Sequence, residues 1–124
     1  SGELLIFSNV DMLNSRIRNF KHMEQRRVSF SLGVTYQTSY EQLVRIPQLI
    51  QEIVESQPHT RFEQTHFKTY GDSSLNFETV YYLSTPDYGV YLDVRQAINL
   101  EIFRRLAAES IQFAYPTQTI LVKQ

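Results

Sequence analysis

The sequence predicts an α+β domain of the ferredoxin-like type, an antiparallel sheet with two helices on one face. Apolar residues recur at every second position in some stretches and at every third or fourth position in two others, the periods of strands and helices. From residue 27 these stretches follow the order strand, helix, strand, strand, helix, strand. Right-handed crossovers fold that order into a βαββαβ sandwich. The length of 124 residues fits one such domain with short segments at its ends.

Composition excludes several classes of protein. Apolar residues make up 42% of the chain and aromatic residues 13%, which fills a core and excludes disorder for the chain as a whole. The net charge of −1 provides no general attraction for nucleic acid or an anionic membrane. The absence of cysteine excludes disulfides, thiol catalysis and cysteine-ligated zinc. The longest apolar run, Leu4-Leu5-Ile6-Phe7, is far below the roughly twenty residues of a membrane span, so we expect a soluble fragment.

The first 25 residues do not fit the βαββαβ order and are predicted to be the tail of a preceding module. Residues 4–7 indicate a buried strand, and Asp11 can cap a short helix. Residues 19–25 are polar and are predicted to form a connector. Because the sheet partners of the first strand would lie upstream of it, we expect residues 2–20 to be the least stable part of the chain.

The next two elements are a strand with one buried face and an amphipathic helix. The apolar or aromatic residues with strand period are Val28, Phe30, Leu32, Val34 and Tyr36. Thr38 and Glu41 have the spacing of a helix cap. The apolar residues that follow at helical spacing are Leu43, Ile46, Ile50, Ile53 and Val54. Pro47 lies among them, so either it falls in the first turns, where its missing N–H is tolerated, or the helix is kinked there.

A hairpin and a second helix are predicted next. Residues 60–70 are rich in threonine and aromatic residues, which favours a strand, and Gly71-Asp72-Ser73-Ser74 is the strongest turn signal in the chain. The returning strand has a face formed by Leu75, Phe77, Thr79, Tyr81 and Leu83. The second helix is marked by Tyr91, Val94, Ile98, Ile102 and Leu106 and is expected to end near Glu109. A last strand is predicted to begin at Ile111 and to be interrupted at Pro116.

No catalytic or metal-binding constellation emerges from the sequence. His22, His59 and His66 are scattered over a connector, a loop and a strand, without a second ligand at metal spacing. The carboxylates fall on a wet helix face or in turns, and neither a glycine-rich phosphate loop nor a GxSxG motif is present. We therefore assign no catalytic, cofactor-binding or metal-binding residue and predict that the chain is not an enzyme.

Nucleic-acid binding is also disfavoured, although RNA-recognition modules share this order of strands and helices. Such modules stack bases on aromatic side chains of the open sheet face. In the first strand that face consists of Arg27, Ser29, Ser31, Gly33 and Thr35. Tyr82 is the only aromatic residue on the same face of the 75–83 strand. The basic pairs at 26–27 and 104–105 are interpreted as solvated surface.

Five short motifs occur along the chain in a fixed order. They are Gly2-Glu3-Leu4-Leu5-Ile6-Phe7-Ser8-Asn9 followed by Leu13, Ile17 and Asn19; Arg26-Arg27 with Val34-Thr35-Tyr36; Gly71-Asp72-Ser73-Ser74-Leu75-Asn76; Ile98-Asn99; and Ile111-Gln112-Phe113-Ala114-Tyr115-Pro116-Thr117-Gln118-Thr119. Together they resemble the cytoplasmic region of the small-conductance mechanosensitive channels, the MscS family. Ser8 departs from the proline that is usual at that position of the family.

The resemblance implies a bacterial inner-membrane channel that opens under membrane tension during hypo-osmotic shock, with this region on the cytoplasmic side. It implies that residues 1–25 end the family's β domain, that 26–114 form its α/β domain and that 115–124 form a C-terminal strand. The family assembles as a homo-heptamer whose cytoplasmic domains enclose a perforated vestibule that filters solutes. Its pore helices precede this region, so membrane contact is expected only through them. No cofactor is implied.

The last residues are predicted to associate copies of the chain. Beyond Pro116 the β-favouring residues are Thr117, Thr119, Ile120, Leu121 and Val122, with apolar groups on both faces. A lone strand leaves unpaired N–H and C=O groups, and closing copies into a ring removes every edge. The resemblance likewise implies a small parallel barrel of seven such strands. Without membrane helices to align the copies, association entropy opposes assembly, and we expect this chain to be mostly monomeric when dilute.

Two alternatives use the same fold. The first is a small-molecule-sensing regulatory domain, which would dimerise around a ligand. The sequence upstream of this chain would distinguish it from a channel: hydrophobic spans there would indicate a channel, and a catalytic domain would indicate a sensor. An acylphosphatase-like hydrolase would need an anion-cradling loop with arginine and asparagine. The loop at residues 36–40 contains neither.

Overall fold

The computed structural model describes residues 25–115, so the predicted end of a β domain and the predicted C-terminal strand lie outside the described residues. The described elements in chain order are β1 (Arg26–Val34), α1 (Tyr40–Glu55), β2 (Thr60–Tyr70), β3 (Leu75–Leu83) and α2 (Tyr88–Ala108). The predicted α+β class, with an antiparallel sheet and two helices, is confirmed.

β3 is the central strand of a three-stranded sheet with the order β1-β3-β2. It pairs antiparallel with β1 along an unbroken register from Arg26 opposite Leu83 to Val34 opposite Leu75. It also pairs antiparallel with β2 over its full length, from Leu83 to Leu75. Its buried face is the predicted one, because alternate residues of a strand point to the same side.

β2 departs from strict alternation at two irregularities of register, between Phe62 and Gln64 and between Phe67 and Thr69. Each leaves one extra residue on β2, as a β-bulge does. The bulges keep Phe62, Thr65 and Phe67 opposite inward-facing residues of β3. This explains why the sequence of β2 has the amino-acid composition of a strand but no regular two-residue alternation of apolar and polar residues. The buried hydroxyls of Thr65 and Thr79 share a hydrogen bond of 2.8 Å.

α1 begins one residue later than the predicted cap. Ser39 is the N-cap, and its side chain and that of Gln42 form a reciprocal capping box, so the predicted pairing of Thr38 with Glu41 is wrong by one position. Pro47 is in the helix interior, because it is the eighth of 16 helical residues. It has no N–H to donate to the preceding turn, and α1 continues to Glu55 nonetheless.

α2 begins at Tyr88, before the first predicted apolar position, because Asp87 caps it by accepting hydrogen bonds from the N–H groups of Gly89 and Val90. It ends at Ala108, with Glu109 as its C-cap, as predicted within one residue. Its buried stripe consists of Val94, Ile98, Ile102 and Leu106.

The predicted strand from Ile111 is present in the described residues only as a single antiparallel bridge between Phe113 and Val34. Thr35 donates to the carbonyl of Gln112 at 3.1 Å, and Ala114 donates to that of Gly33 at 3.0 Å. The described sheet therefore has three strands.

The core lies between the sheet and the two helices. Its buried residues come from β1, α1, β3 and α2 and include Val28, Val34, Ile46, Leu49, Ile50, Ile53, Phe77, Tyr81, Val94, Ile98, Ile102 and Leu106, and β2 adds the partly buried Phe62 and Phe67. Phe30 and Leu32 of β1 are only partly buried, although they belong to the predicted inner face. The reason is that β1 is an edge strand, so the side of the domain next to it is less covered.

Replacing Ile50 by alanine is expected to destabilise the domain by about 2–5 kcal/mol, because the change removes apolar contacts and leaves a cavity in the core. Val44→Ala on the same helix is the matched control, since Val44 is 49% exposed, and its effect should stay within about 0.5 kcal/mol. Denaturant melts of both variants measure the difference. Equal losses would contradict the assignment of the two faces of α1.

Candidate functional site

The two edges of the sheet differ in their protection against pairing. β2 carries two bulges together with the charged residues Glu63 and Lys68, features that discourage another strand from adding to an edge. β1 has an unbroken register and no charge from Val28 to Val34. The backbone N–H and C=O groups of successive strand residues point alternately to the neighbours on either side. Those of Arg27, Ser29 and Ser31 point away from β3, along the outer edge of β1.

Three cavities line the side of the domain where β1 meets α2. One of about 310 Å³ lies among Phe30, Tyr81, Tyr91, Arg95 and Ile98, with Ser29, Ser31, Val28 and Asn99 completing its wall. A second of about 310 Å³ adjoins it, lined by Phe30, Ser31, Leu32, Gly33, Asn99, Ile102, Phe103, Phe113 and Ala114. A third of about 590 Å³ continues past Phe103 to Tyr115. None brings together an acid and a base that could share a proton, so these cavities offer shape and apolar surface rather than chemistry.

An arginine–tyrosine cluster stands at the start of β1 and α2. The Arg26 guanidinium lies 4.9 Å from the Tyr91 ring centroid and 5.8 Å from that of Tyr88, which is cation–π geometry. Arg95 lies 5.9 Å from the Tyr91 ring and donates to its hydroxyl at 3.4 Å. The Nε of Arg26 is buried and has no hydrogen-bond partner within residues 25–115. Arg26 is therefore not the solvated residue that the sequence indicated.

α2 exposes large apolar side chains on the flank next to this cluster. Leu92 is 41% exposed, Leu100 60% and Phe103 65%, and Tyr88 precedes them at the start of the helix. The Phe103 ring stacks on Phe113 at a centroid distance of 6.3 Å. A helix that carries apolar residues on more than its core stripe has a second surface to cover. This flank was not predicted from the sequence, although the apolar residues between those of the core period indicate it.

The second predicted basic pair, Arg104 and Arg105, is also more than solvated surface. Arg104 pairs with Glu101 on its own helix at 2.6 Å. Arg105 reaches across to Glu52 of α1 at 2.8 Å and so joins the two helices. Arg45 of α1 pairs with Glu109 at 3.3 Å on the same side of the domain.

These ion pairs lower the pKa of two carboxyl groups. A hydrogen bond from Arg105, aided by the charges of Arg105 and Arg45, lowers the pKa of Glu52 below its ordinary value of 4.5 against a smaller effect of desolvation. Arg104 likewise lowers the pKa of Glu101. Glu52 is exposed and Glu101 is partly exposed, and each is paired with an arginine. Burial raises the pKa of the Tyr81 hydroxyl to about 12, which keeps this core phenol protonated.

The residues that were weighed for chemistry do not converge. His59 is in a left-handed backbone conformation (φ 66°) before β2, and His66 stands opposite Glu78 in the sheet register. Within residues 25–115 no group of three histidine, aspartate or glutamate side chains could hold a metal ion. His22 and the predicted association residues Thr117, Thr119, Ile120, Leu121 and Val122 lie outside the described residues. In the described part of the chain, no helix is long and apolar enough to cross a bilayer.

The described residues thus define a two-layer α+β module whose prominent surfaces are an apolar flank and an arginine–tyrosine cluster. Residues 28–113 match the family described as the C-terminal part of the mechanosensitive ion channel MscS. That match takes in more than half of the 124 residues. The chain belongs to the MscS family of mechanosensitive channels.

Similar proteins agree with this membership. The chain is 35% identical over 124 residues to an MscS family protein of Aquifex aeolicus, covering 98% of this chain and 34% of that protein. It is 35% identical over 122 residues to the small-conductance mechanosensitive channel MscMJ of Methanocaldococcus jannaschii, covering 98% and 35%. The chain therefore spans about a third of the length of these relatives. The crystal structure of Helicobacter pylori MscS in its closed state shares the fold, with a TM-score of 0.59 at 22% identity over 81% of this chain and 39% of that one.

Replacing Arg105 by glutamine should raise the pKa of Glu52 towards 4.5, because it removes the hydrogen bond that favours the carboxylate. The stability that this carboxylate contributes is present above the unfolded value and is lost as the pH falls through the lower folded value. Titration of the side-chain carboxyl carbon by NMR measures the shift. Arg104→Gln is the control, since it should raise the pKa of Glu101 and leave Glu52 unchanged; an unmoved Glu52 in Arg105→Gln would contradict the assignment.

Proposed function

We propose that this chain is the cytoplasmic vestibule domain of a bacterial mechanosensitive channel that opens under membrane tension during hypo-osmotic shock. The observation that carries the proposal is the match of residues 28–113 to the channel family. Relatives named as mechanosensitive channels align with nearly the whole chain, which supports it further. The channel itself would be an inner-membrane protein, with this domain on the cytoplasmic side serving in assembly and in filtering solutes.

The surface of the domain suits a wall through which solutes pass. The chain carries 12 basic and 13 acidic residues, so its charges nearly balance and both anions and cations can approach. A wall with dense charge of one sign would instead select between them. The sheet face away from the helices carries both signs, with Arg61 over the ring of Tyr82 at 4.4 Å and Lys68 paired with Glu78 at 2.7 Å. A domain in such a wall must be well packed and soluble, and it needs no catalytic group.

Copies of the domain would close into a ring. The family resemblance favours seven copies joined below by the strand of Thr117, Thr119, Ile120, Leu121 and Val122. The bridge between Phe113 and Val34 supports a ferredoxin-like βαββαβ order, because it lies beside β1 where the fourth strand of that fold belongs.

A chimaera tests the proposed function. The part of MscMJ that aligns with this chain is replaced by residues 1–124, and the protein is produced in cells that lack their own mechanosensitive channels. Tension-activated currents in membrane patches and survival after dilution into low osmolarity are expected, because the pore segments come from the relative. The same chimaera with Ile50→Asp is the control, since a charge in the core prevents folding of the domain. A folded, membrane-inserted chimaera without tension-activated current would contradict the proposal.

The association strand is tested on the chain alone. Light scattering over a wide concentration range compares the full chain with one that ends at Ala114 and with Ile120→Asp and Leu121→Asp. We expect only the full chain to gain mass as concentration rises, because charges or truncation remove the apolar strand. Gln124→Asp at the end of the chain is the control and should behave as the full chain does. Equal association of all variants would assign assembly to another surface.

A further inference from the structure

A groove runs along the outer edge of β1, between that strand and α2. The α2 side chains that line its first part are Tyr91, Arg95 and Asn99, which follow one another at intervals of four residues, about 6 Å along the helix. Tyr91 stands beside Arg26 at the start of β1, and Phe103 lines a cavity with the end of β1. α2 therefore runs in the direction of β1. The two cavities of about 310 Å³ between them form one groove, which we call the β1–α2 groove.

One wall of this groove is a strand edge that can accept another strand. The backbone groups of Arg27, Ser29 and Ser31 point away from β3, and they make no backbone hydrogen bond to any other residue of the range 25–115. From Val28 to Val34 the edge has no charge and no bulge, the features that keep other strands away. An extended peptide binds such an edge through its main chain and is selected by pockets for alternate side chains.

The register of an added strand follows from the direction of these backbone groups. Antiparallel pairing is the more stable kind, and residues directly opposite each other in a sheet share a face. The peptide residues opposite Phe30 and Val28 would therefore point to the helix side, where both of these residues line the first cavity. The residue opposite Phe30 would meet the apolar wall that contains Ile98. The residue opposite Val28 follows two positions later and would lie towards Tyr91 and Arg95.

The charge at this end of the groove selects the second side chain. The guanidinium groups of Arg26 and Arg95 lie 4.9 and 5.9 Å from the centroid of the same Tyr91 ring. Neither has an ion-pair partner within residues 25–115. A carboxylate on the peptide residue opposite Val28 would balance both cations. The groove thus favours an apolar residue followed two positions later by aspartate or glutamate.

We propose that the β1–α2 groove binds an extended polypeptide segment that adds antiparallel to β1 and carries an apolar residue two positions before an acidic one. The inference goes beyond the channel proposal and does not depend on it, because it requires only the described domain.

The flanking residues of the chain itself do not carry this order of side chains. Residues 116–124 contain no acid, and β1 of a second copy would offer two arginines and no acid. In residues 1–24 every acid follows a polar residue at this spacing: Ser1 precedes Glu3, Asn9 precedes Asp11 and His22 precedes Glu24. The partner that we infer is therefore a segment from outside these 124 residues.

Hydrogen exchange of the full chain tests whether the edge is free. The N–H of Phe30 points to β3 and should be protected, whereas that of Ser29 points into solvent and should exchange fast. Slow exchange of Ser29 in the chain alone would mean that the edge is already occupied and would overturn the proposal.

Binding is tested with the acetylated and amidated peptide Thr-Thr-Leu-Thr-Glu-Thr-Thr, measured by NMR titration of the full chain. The peptide should bind saturably and slow the exchange of Ser29 about tenfold or more. The peptide Thr-Thr-Glu-Thr-Leu-Thr-Thr has the same composition in the reverse order and should bind about tenfold more weakly. No binding of the first peptide, or equal binding of the two, would overturn the proposal.

Backbone methylation distinguishes strand addition from capture of a carboxylate alone. Methylating the nitrogen of the threonine between leucine and glutamate removes the donor that faces Ser29 and should weaken binding about tenfold. Methylating the leucine nitrogen is the matched control, because that N–H points away from β1, and should have a much smaller effect. Equal effects of the two methyl groups would overturn the antiparallel register.

A charge variant identifies the cation. Arg95→Gln should weaken the binding of the glutamate peptide about tenfold and leave the peptide with glutamine in its place almost unaffected. Arg61→Gln is the control, because Arg61 lies over Tyr82 on the other face of the sheet. Equal losses for both peptides in Arg95→Gln, or an equal loss in Arg61→Gln, would overturn the assignment of the acid to this end of the groove.

Discussion

The pairing of β3 with both of its neighbours is the constraint on which the rest of the structure depends. β3 is matched over its whole length by β1 and by β2, so it is the only described strand with neighbours on both sides. Its inner residues Phe77 and Tyr81 are almost fully buried under the helices. Both helices cover this face: α1 packs against β2, and α2 packs beside α1 and lines the cavities next to β1.

Packing rather than ion pairing holds the two helices in place. The pairs Arg45–Glu109 and Arg105–Glu52 join α1 to α2, but Glu52 is more than half exposed, and exposed pairs contribute little. Beneath them, the apolar residues of both helices exclude water from the core, a larger effect per residue. The ion pairs therefore align two helices that burial has already brought together, and the opposite flanks of the helices remain available to other surfaces.

The two sides of the described domain differ in their strand edges, their cavities and their charged side chains. The β2 side has bulges and paired charges, whereas the β1 side has a regular edge, apolar cavities and arginines that have no acidic partner among residues 25–115. A surface that meets its own copy must be self-complementary, but a surface that meets a different one need only match its partner. The two sides of the described domain therefore offer different surfaces to a partner.

The sequence by itself determined the order and type of the five described elements, the inner faces of β1 and β3 and the membership suggested by five motifs. These follow from local period, turn residues and spacing, which do not depend on contacts between distant residues. It placed the helix cap one residue early, at Thr38 instead of Ser39, and it did not show the bulges of β2, because the register against β3 decides them. Of the two positions left open for Pro47, the structure excludes the first turn. Only the tertiary structure placed Arg26 against Tyr91 and left the flank of Phe103 uncovered, since residues distant in sequence meet there and burial is a property of the packed whole.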